Sequence, residues 1–364
     1  MKKKRTDCPT HANPGGSRVH RRSARQHRAM TSITDPRPAS GSALQPQDRT
    51  PPLRFGAAPQ HVLLTGGTGF IGRQLVSALR ADGHAVSVWT RDPQAAAKHF
   101  DPAVRCVQRL DQLPAAPAVD VVINLAGSPI VGPRWSDARK AALLQSREGL
   151  TKTLAAWIGT LAHRPWLLIS GSAIGFYGIQ PQGDEAALTE DSPPQPIFMS
   201  ELCRRWEAAA HAATPLGVRV VCTRLGVVLG KEGSLPKLLL PVRMGAGGRL
   251  GSGQQVLSWV HLQDVLRGMA HVWNAAAQAD APVTPQVYNF TAPGALTQEA
   301  FTRVASEVLH RPFWLPTPGW PMRLALGEQA DLLLEGQRVL PARLLQTGFR
   351  FRFPDARSAL QDLC

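Results

Sequence analysis

Two hydroxyl side chains stand where they could do chemistry. Ser170-Gly171-Ser172 closes an apolar run at 166–170, and Tyr177 follows five residues after Ser172. A serine at a strand end can polarise a carbonyl, and a tyrosine beside it can donate or accept the proton. The 364-residue chain has only two tyrosines, and the other, Tyr288, lies in a strand-like Val-Tyr-Asn. Tyr177 is therefore the tyrosine placed to act as acid or base, with Ser172 as its partner. The competing reading makes Ser172 a strand-end cap and Tyr177 a half-buried aromatic.

The partner of such a pair is read from residues 61–72, His-Val-Leu-Leu-Thr-Gly-Gly-Thr-Gly-Phe-Ile-Gly. A short apolar strand runs into glycines at 66, 69 and 72, and an amphipathic helix pattern starts at Phe70. Gly66 permits a tight turn, Gly69 a close approach of backbone to a pyrophosphate, and Gly72 close packing of helix on strand. The positive end of the helix then faces the phosphates. Gly66, Gly67, Thr68, Gly69, Phe70, Ile71 and Gly72 are the expected dinucleotide cradle.

A carboxylate at the end of the second strand would pair with a ribose 2′-hydroxyl. This chain has Trp89-Thr90-Arg91 there. Arg91 offers a forked, charge-assisted contact to a 2′-phosphate, so NADP(H) is expected rather than NAD. Asp92, one residue later and followed by Pro93, suits a turn. Asn124-Leu125-Ala126-Gly127 ends a fourth strand as a small turn able to pass close to the riboses, or simply as a strand-end turn. Ser170 completes the expected cofactor set.

Further candidates are less defined. Arg134-Trp135, Lys140 and Arg147 cluster around the start of a long helix, as a substrate-facing group or as a solvated basic face. Ser258-Trp259-Val260-His261, with Asp264 three residues on, joins a strand to a helix. His261 either titrates near neutral pH beside substrate or fixes a loop and caps the helix. Glycines at 245, 247, 248, 251 and 253 mark a loop that suits a lid. The five cysteines show no C-x-x-C pairing, so zinc and a disulfide framework are not expected, and a reducing, cytoplasmic setting is.

These residues need elements to hold them. Apolar runs at 62–64, 85–90, 104–107, 119–125, 166–170 and 219–223 alternate with helical patterns at 70–82 and 136–162. Continuous apolar strands alternating with helices predict an α/β fold: a Rossmann-type doubly wound parallel sheet, ligand at the carboxyl ends of its strands. After about 230 the pattern breaks into Gly/Pro-rich loops and short helices, which predicts a smaller C-terminal α/β lobe. The expected organisation is 1–58 as a disordered basic tail, 59–230 as the nucleotide-binding domain, and 231–364 as the smaller lobe, with part of the sheet returning within it. Residues 1–58 carry 12 Lys/Arg and three Asp/Glu, which is most of the chain's net charge of +15. That tail is rich in Pro, Ser and Gly and lacks periodic apolar positions. It is the one basis for nucleic-acid binding, the least favoured partner. No stretch approaches the ~20 apolar residues that span a bilayer, so no membrane partner is expected.

Taken together, the glycine turn, Asn124–Gly127, Ser170–Gly178 and Arg224-Leu225-Gly226 resemble the extended short-chain dehydrogenase/reductases, which include NAD(P)-dependent epimerases and dehydratases. More narrowly, the chain resembles YfcH-like epimerase-family proteins. Carrying that likeness are Arg134-Trp135, Ser146-Arg147, Trp206-Glu207, Arg224-x-Gly226-x-Val228-Leu229-Gly230, Ser258–His261 and the tail Pro341–Phe349. The resemblance covers about 60–364 and implies a Rossmann domain, NADP(H), a small carbonyl or hydroxyl substrate, and a characteristic C-terminal segment. Homodimers are frequent among extended relatives. One departure stands out. The superfamily carries Tyr-x-x-x-Lys on the helix after the fifth strand, where the lysine lowers the tyrosine pKa. Here that region reads Ile197-Phe198-Met199-Ser200-Glu201-Leu202, with neither residue. Either Ser172 and Tyr177 substitute in an NADPH-dependent oxidoreductase or epimerase, or the chain binds cofactor as a regulator without turnover, a role suggested by division-associated relatives.

Overall fold

Every side chain of the first strand is buried, and successive residues enter different cores: Val62 and Leu64 one, Leu63 the other. A strand covered on both faces has no polar side to show, so its sequence is a continuous apolar run. The computed structural model describes residues 53–364 except 115, 185, 279 and 282. Its first half comprises β1 (His61–Thr65), α1 (Phe70–Ala81), β2 (Ala85–Trp89), α2 (Pro93–Ala97), β3 (Arg105–Val107), β4 (Val121–Asn124), α3 (Asp137–Leu144), α4 (Leu150–Thr160) and β5 (Leu167–Ala173). Then come α5 (Phe198–His211), β6 (Arg219–Leu225), β7 (Val227–Leu229), α6 (Leu235–Arg243), β8 (Val256–Leu257), β9 (Trp259–His261), α7 (Leu262–Ala276) and β10 (Gln286–Phe290). The chain ends with β11 (Leu296–Thr297), α8 (Gln298–Val308), α9 (Trp320–Leu326), α10 (Asp331–Leu334), α11 (Ala342–Gln346) and α12 (Ala356–Leu363).

Seven strands form one parallel sheet in the order β10-β6-β5-β4-β1-β2-β3. The order reverses between β1 and β4, where Thr65 lies in register with Asn124. A doubly wound sheet opens its ligand crevice at such a switch point. One face is covered by α1 and α7: Leu75, Val76 and Leu79 join Val265, Met269 and Trp273 over Val62, Leu64, Val121 and Ile123. The other is covered by α4 and α5, with Leu154, Ile158 and Ala210 over Leu63, Val122 and Leu168. The buried positions of α1, Gly72, Leu75, Val76 and Leu79, recur at three- and four-residue spacing, a single helical stripe.

The fold class is as expected, and several boundaries move. The apolar run at 166–170 extends to Ala173 and the one at 219–223 to Leu225, because Gly171 to Ala173 pair with Thr223 to Leu225. The helix expected over 136–162 is α3, a π-helical turn at Gln145–Gly149, and α4. The tail expected through residue 58 is packed from residue 53. Phe55 is completely buried against His84 and Trp273, and its N–H donates to Asp82. One aromatic plug has no periodicity to betray it. Residues 1–52, including Cys8 and the basic runs, lie outside the described residues.

Residues beyond 230 contribute mainly to two cores, with Val339 in a smaller one beside Phe176 and Tyr177. In the main core α7, β10, Leu344 and Phe349 pack on the sheet. Separately, α6, α8 and α12 pack with Leu229 and Trp259. Two small sheets, β7 with β9 and β8 with β11, join this part to the strand ends. Among the described residues no helix is long and apolar enough to cross a membrane, and no His/Cys/Asp/Glu group could hold a metal ion.

Candidate functional site

At the switch point β1 ends in a turn built on absent side chains. Gly66 has φ +70°, and a Cβ there would come within 2.6–2.8 Å of the Leu125 and Ala126 backbone. A Cβ on Gly72 would overlap the Gly66 carbonyl oxygen, so this glycine lets the helix lie on the turn itself. Gly69 caps α1 without a side chain, and no side chain closes the helix start. Its own N–H bonds Gly66 O, and the first helical bond is Arg73 N–H to Gly69 O. The N–H groups of Phe70, Ile71 and Gly72 thus have no acceptor among the described residues. Uncapped donors at the positive end of a helix fit an anion such as a dinucleotide diphosphate.

On the β2 side, Arg91 is exposed and forms no ion pair among the described residues. Asp92 is turned away into a cap, accepting from Ala95 N–H at 2.9 Å. Arg91 thus keeps its guanidinium free of any carboxylate partner among the described residues, while Asp92 is used as a cap.

On the β4 side, the structure revises two expected contacts. Asn124 and Ser170 are wholly buried. Asn124 accepts from Thr65 Oγ1 at 2.6 Å and donates to Thr151 Oγ1 at 2.8 Å and Ser170 Oγ at 3.3 Å. Their side chains lock β1, β4, β5 and α4 together and do not reach the crevice. Leu125 and Ala126 are half-buried and Gly127 is exposed at its rim.

The hydroxyl pair is also revised. Ser172 and Tyr177 are only 2% and 1% exposed. Ser172 donates to Glu207 Oε1 at 2.6 Å. Tyr177 donates to Asn289 Oδ1 at 2.7 Å and accepts from Arg224 Nη1 at 2.9 Å. Arg224 on β6 also grips Glu207 on α5 with Nε and Nη2 and stacks on Phe176, its Cζ 3.3 Å from the ring centroid. Burial pushes the Tyr177 phenol above its ordinary value, outweighing the lowering by Arg224. This is opposite to what an acid exchanging its proton near neutrality needs. Burial works against the Arg224 charge, but Glu207 outweighs it and holds the guanidinium above its ordinary value.

The network continues into the C-terminal segment. Asn289 donates through Nδ2 to Leu340 O, and its N–H donates to Glu190, which also accepts from Arg343 N–H. Glu207, Arg224 and Asn289 had no role assigned from sequence. An arginine inside an apolar strand and a glutamate on the buried stripe of a helix were the available signals, because neither is buried without a partner.

Of the remaining candidates, Arg134 is exposed beside Gly327. Trp135 is half-buried edge-on to Phe198, 5.2 Å between centroids, with its Nε1–H donating to Ile130 O. Lys140 pairs with Glu328 at 2.7 Å. His261 is turned into the fold. It is 2% exposed, its Nδ1 accepts from Gln263 N–H to cap α7, and its ring lies 3.9 Å from that of Phe353. Burial, against Asp362, lowers its pKa to about 4, so it does not titrate near neutral pH. Asp264 accepts the N–H groups of Arg352 and Phe353, tying the C-terminal segment to α7.

Comparison with known proteins places the chain among relatives. Residues 62–290 match the NAD dependent epimerase/dehydratase family, and 317–363 match a domain of unknown function, DUF1731. The chain is 38% identical over 307 residues to the chloroplastic epimerase family protein SDR39U1 homolog of Arabidopsis thaliana, covering 82% of this chain and 85% of that one. It is 35% identical to the Bacillus subtilis epimerase family protein YfhF, covering 83% and 97%. The crystal structure of human epimerase family protein SDR39U1 (isoform 2) with NADPH superposes with a TM-score of 0.71 at 34% identity, covering 83% and 98%.

Proposed function

The chain belongs to the NAD dependent epimerase/dehydratase family, and from that premise we propose that it is an NADP(H)-dependent oxidoreductase or epimerase-like enzyme acting on a small carbonyl or hydroxyl compound. The observation that carries this reading is the uncapped start of α1 at the switch point, with an uncommitted Arg91 at the end of the neighbouring strand. The human relative solved with NADPH supports the choice of cofactor. When bound, the nicotinamide supplies the accepting or donating carbon for hydride. Backbone at Gly66–Gly72 would hold the diphosphate, Arg91 the 2′-phosphate, and Leu125 to Gly127 the riboses. Ser172 and Tyr177 serve as positioning residues: through Glu207 and Arg224 they fix where β5 ends, and they do not exchange the proton. Cytoplasm, or another reducing compartment such as that of the chloroplastic relative, suits the thiols, which are free among the described residues.

NADPH and NADH binding to wild type and Arg91→Ala tests the reading. Loss of one guanidinium–phosphate contact should weaken NADPH by about tenfold to a hundredfold and leave NADH nearly unchanged. Wild type that binds neither nucleotide at millimolar concentration would overturn it.

A second reading, a cofactor-binding regulator without turnover, is favoured by one observation. Ser172 and Tyr177, the hydroxyls expected to move a proton, are closed inside the Glu207–Arg224 network, and the stretch 197–202 holds neither tyrosine nor lysine. Substrate-dependent NADPH oxidation in a carbonyl screen excludes it as the sole role.

A further inference from the structure

Arg147 is a half-buried cation with no anion beside it among the described residues. It lies in the π-helical turn Gln145–Gly149 between α3 and α4, a form of helix that recurs at functional sites. The acid in that turn, Glu148, is committed to Lys152 and Arg205. Arg147 has no carboxylate partner among the described residues. Its guanidinium makes at most three hydrogen bonds, Nη1 to Leu143 O and Ser146 Oγ, and Nη2 to Ser128 O. A guanidinium has five N–H groups, so two are left over. Its Cζ lies 5.3 Å from the ring centroid of Trp206, whose own buried Nε1 has no partner. Burial pushes the Arg147 pKa below its ordinary value, and nearby Arg139 pushes it the same way.

Its position relates it to the site. A Cβ on Gly127 would lie 3.2 Å from Arg147 Cζ, 3.3 Å from Nη2 and 3.4 Å from Nε. Gly127 therefore packs against the guanidinium, where a side chain would crowd it, and Nε–H with one Nη2–H keeps no partner among the described residues, donors that a carboxylate or phosphate could take. Arg224, on β6 two strands from β4, shows the contrast: its charge is answered in the fold by Glu207. A guanidinium drawn partly out of water without a counter-charge is a place where a ligand anion adds stability. With the diphosphate at the β1 turn and the 2′-phosphate at Arg91, the β4 and β5 ends are the side left for nicotinamide and substrate.

We propose that Arg147 is a substrate-binding residue that takes an oxyanion, carboxylate or phosphate, carried by the substrate. This rests on the reading of the site as an NADP(H) site for hydride transfer and specifies its substrate as anionic. The other source of such an anion, the cofactor's own diphosphate, is separated by the experiment.

Full-length protein saturated with NADP+ is titrated with oxalate and with inorganic phosphate, and binding is read by calorimetry. Wild type should bind at least one. Arg147→Gln should weaken that binding by about tenfold or more, and Arg147→Lys, which keeps the charge but loses the fork, by less. NADPH affinity should stay within about twofold in both variants. Equal anion binding by wild type and Arg147→Gln, no anion binding by wild type, or a tenfold loss of NADPH affinity in either variant would overturn the proposal. If Arg147→Gln does not fold, Arg147→Lys decides by the same two measurements. Arg147-dependent anion binding in a protein that turns over no carbonyl compound would remove the hydride-transfer reading and leave the anion site. Turnover of uncharged carbonyl compounds only, unaltered in Arg147→Gln, would do the reverse.

Discussion

Arg224 holds Glu207 with both arms of its guanidinium, Nε to Oε1 at 2.8 Å and Nη2 to Oε2 at 2.9 Å, and both side chains are at most 6% exposed. This pair joins β6 to α5 and carries Ser172 on one side and Tyr177 on the other. Breaking it by Glu207→Gln leaves a buried guanidinium without its counter-charge. The expected loss is about 3–5 kcal/mol of unfolding free energy, read from urea denaturation. By comparison, Glu201→Gln, which removes the exposed Arg204 pair on the same helix, should cost less than about 1 kcal/mol. Similar losses in the two variants would mean that the buried pair does not hold the fold.

Tyr177→Phe removes a hydroxyl bonded on both sides and leaves Asn289 Oδ1 without its donor. Stability should fall by about 1–3 kcal/mol, with NADPH affinity unchanged. Once a substrate is found, turnover should fall far less than the 10²–10⁴-fold expected for loss of a general acid or base. A loss in that range with intact stability would return Tyr177 to the proton-transfer step.

His261 makes stability depend on pH in a defined direction. Its pKa is lowered to about 4 in the folded protein, against about 6.5 in the unfolded chain. Between these values the unfolded chain binds more protons, so folding is favoured above about pH 6.5 and this contribution drains away as pH falls toward 4. In His261→Asn, which retains a group able to cap α7, denaturation midpoints measured from pH 4 to 7 should show a flatter slope. An unchanged slope would place the titration elsewhere.

Gly72→Ala tests the cradle. The added methyl overlaps the Gly66 carbonyl oxygen, which is backbone and cannot swing aside. The turn must open, and NADPH should no longer raise the melting temperature, while Gly217→Ala, where nothing lies within 4 Å but φ is +83°, should lower stability without touching NADPH binding. NADPH stabilising Gly72→Ala as it does wild type would place the diphosphate elsewhere.

Much of this architecture is local enough to be written in residue order. Apolar runs such as 62–64 and 119–125 are legible because strands covered on both faces admit no polar residue, and the glycine turn is legible because each absent Cβ answers a steric demand within a few residues. Arg91 and the Asp92 turn are of the same kind, since charge sign and capping depend on immediate neighbours. Phe55 shows the limit: its burial against Trp273 depends on a contact more than two hundred residues away.

The sequence by itself determined the parallel sheet and the glycine turn that opens it, because these follow from periodicity, chain-local sterics and residue identity. Only the tertiary structure decided what the polar side chains do. Ser172, Tyr177 and His261 have the chemistry of active-site groups, but Glu207, Arg224, Asn289 and Phe353 come to them from distant segments and bury them. Arg147 has the opposite fate, drawn beside Gly127 by a π turn that brings it no carboxylate. Whether a titratable group is spent on the fold or kept for a ligand depends on which partners folding delivers, and that is a property of three-dimensional packing.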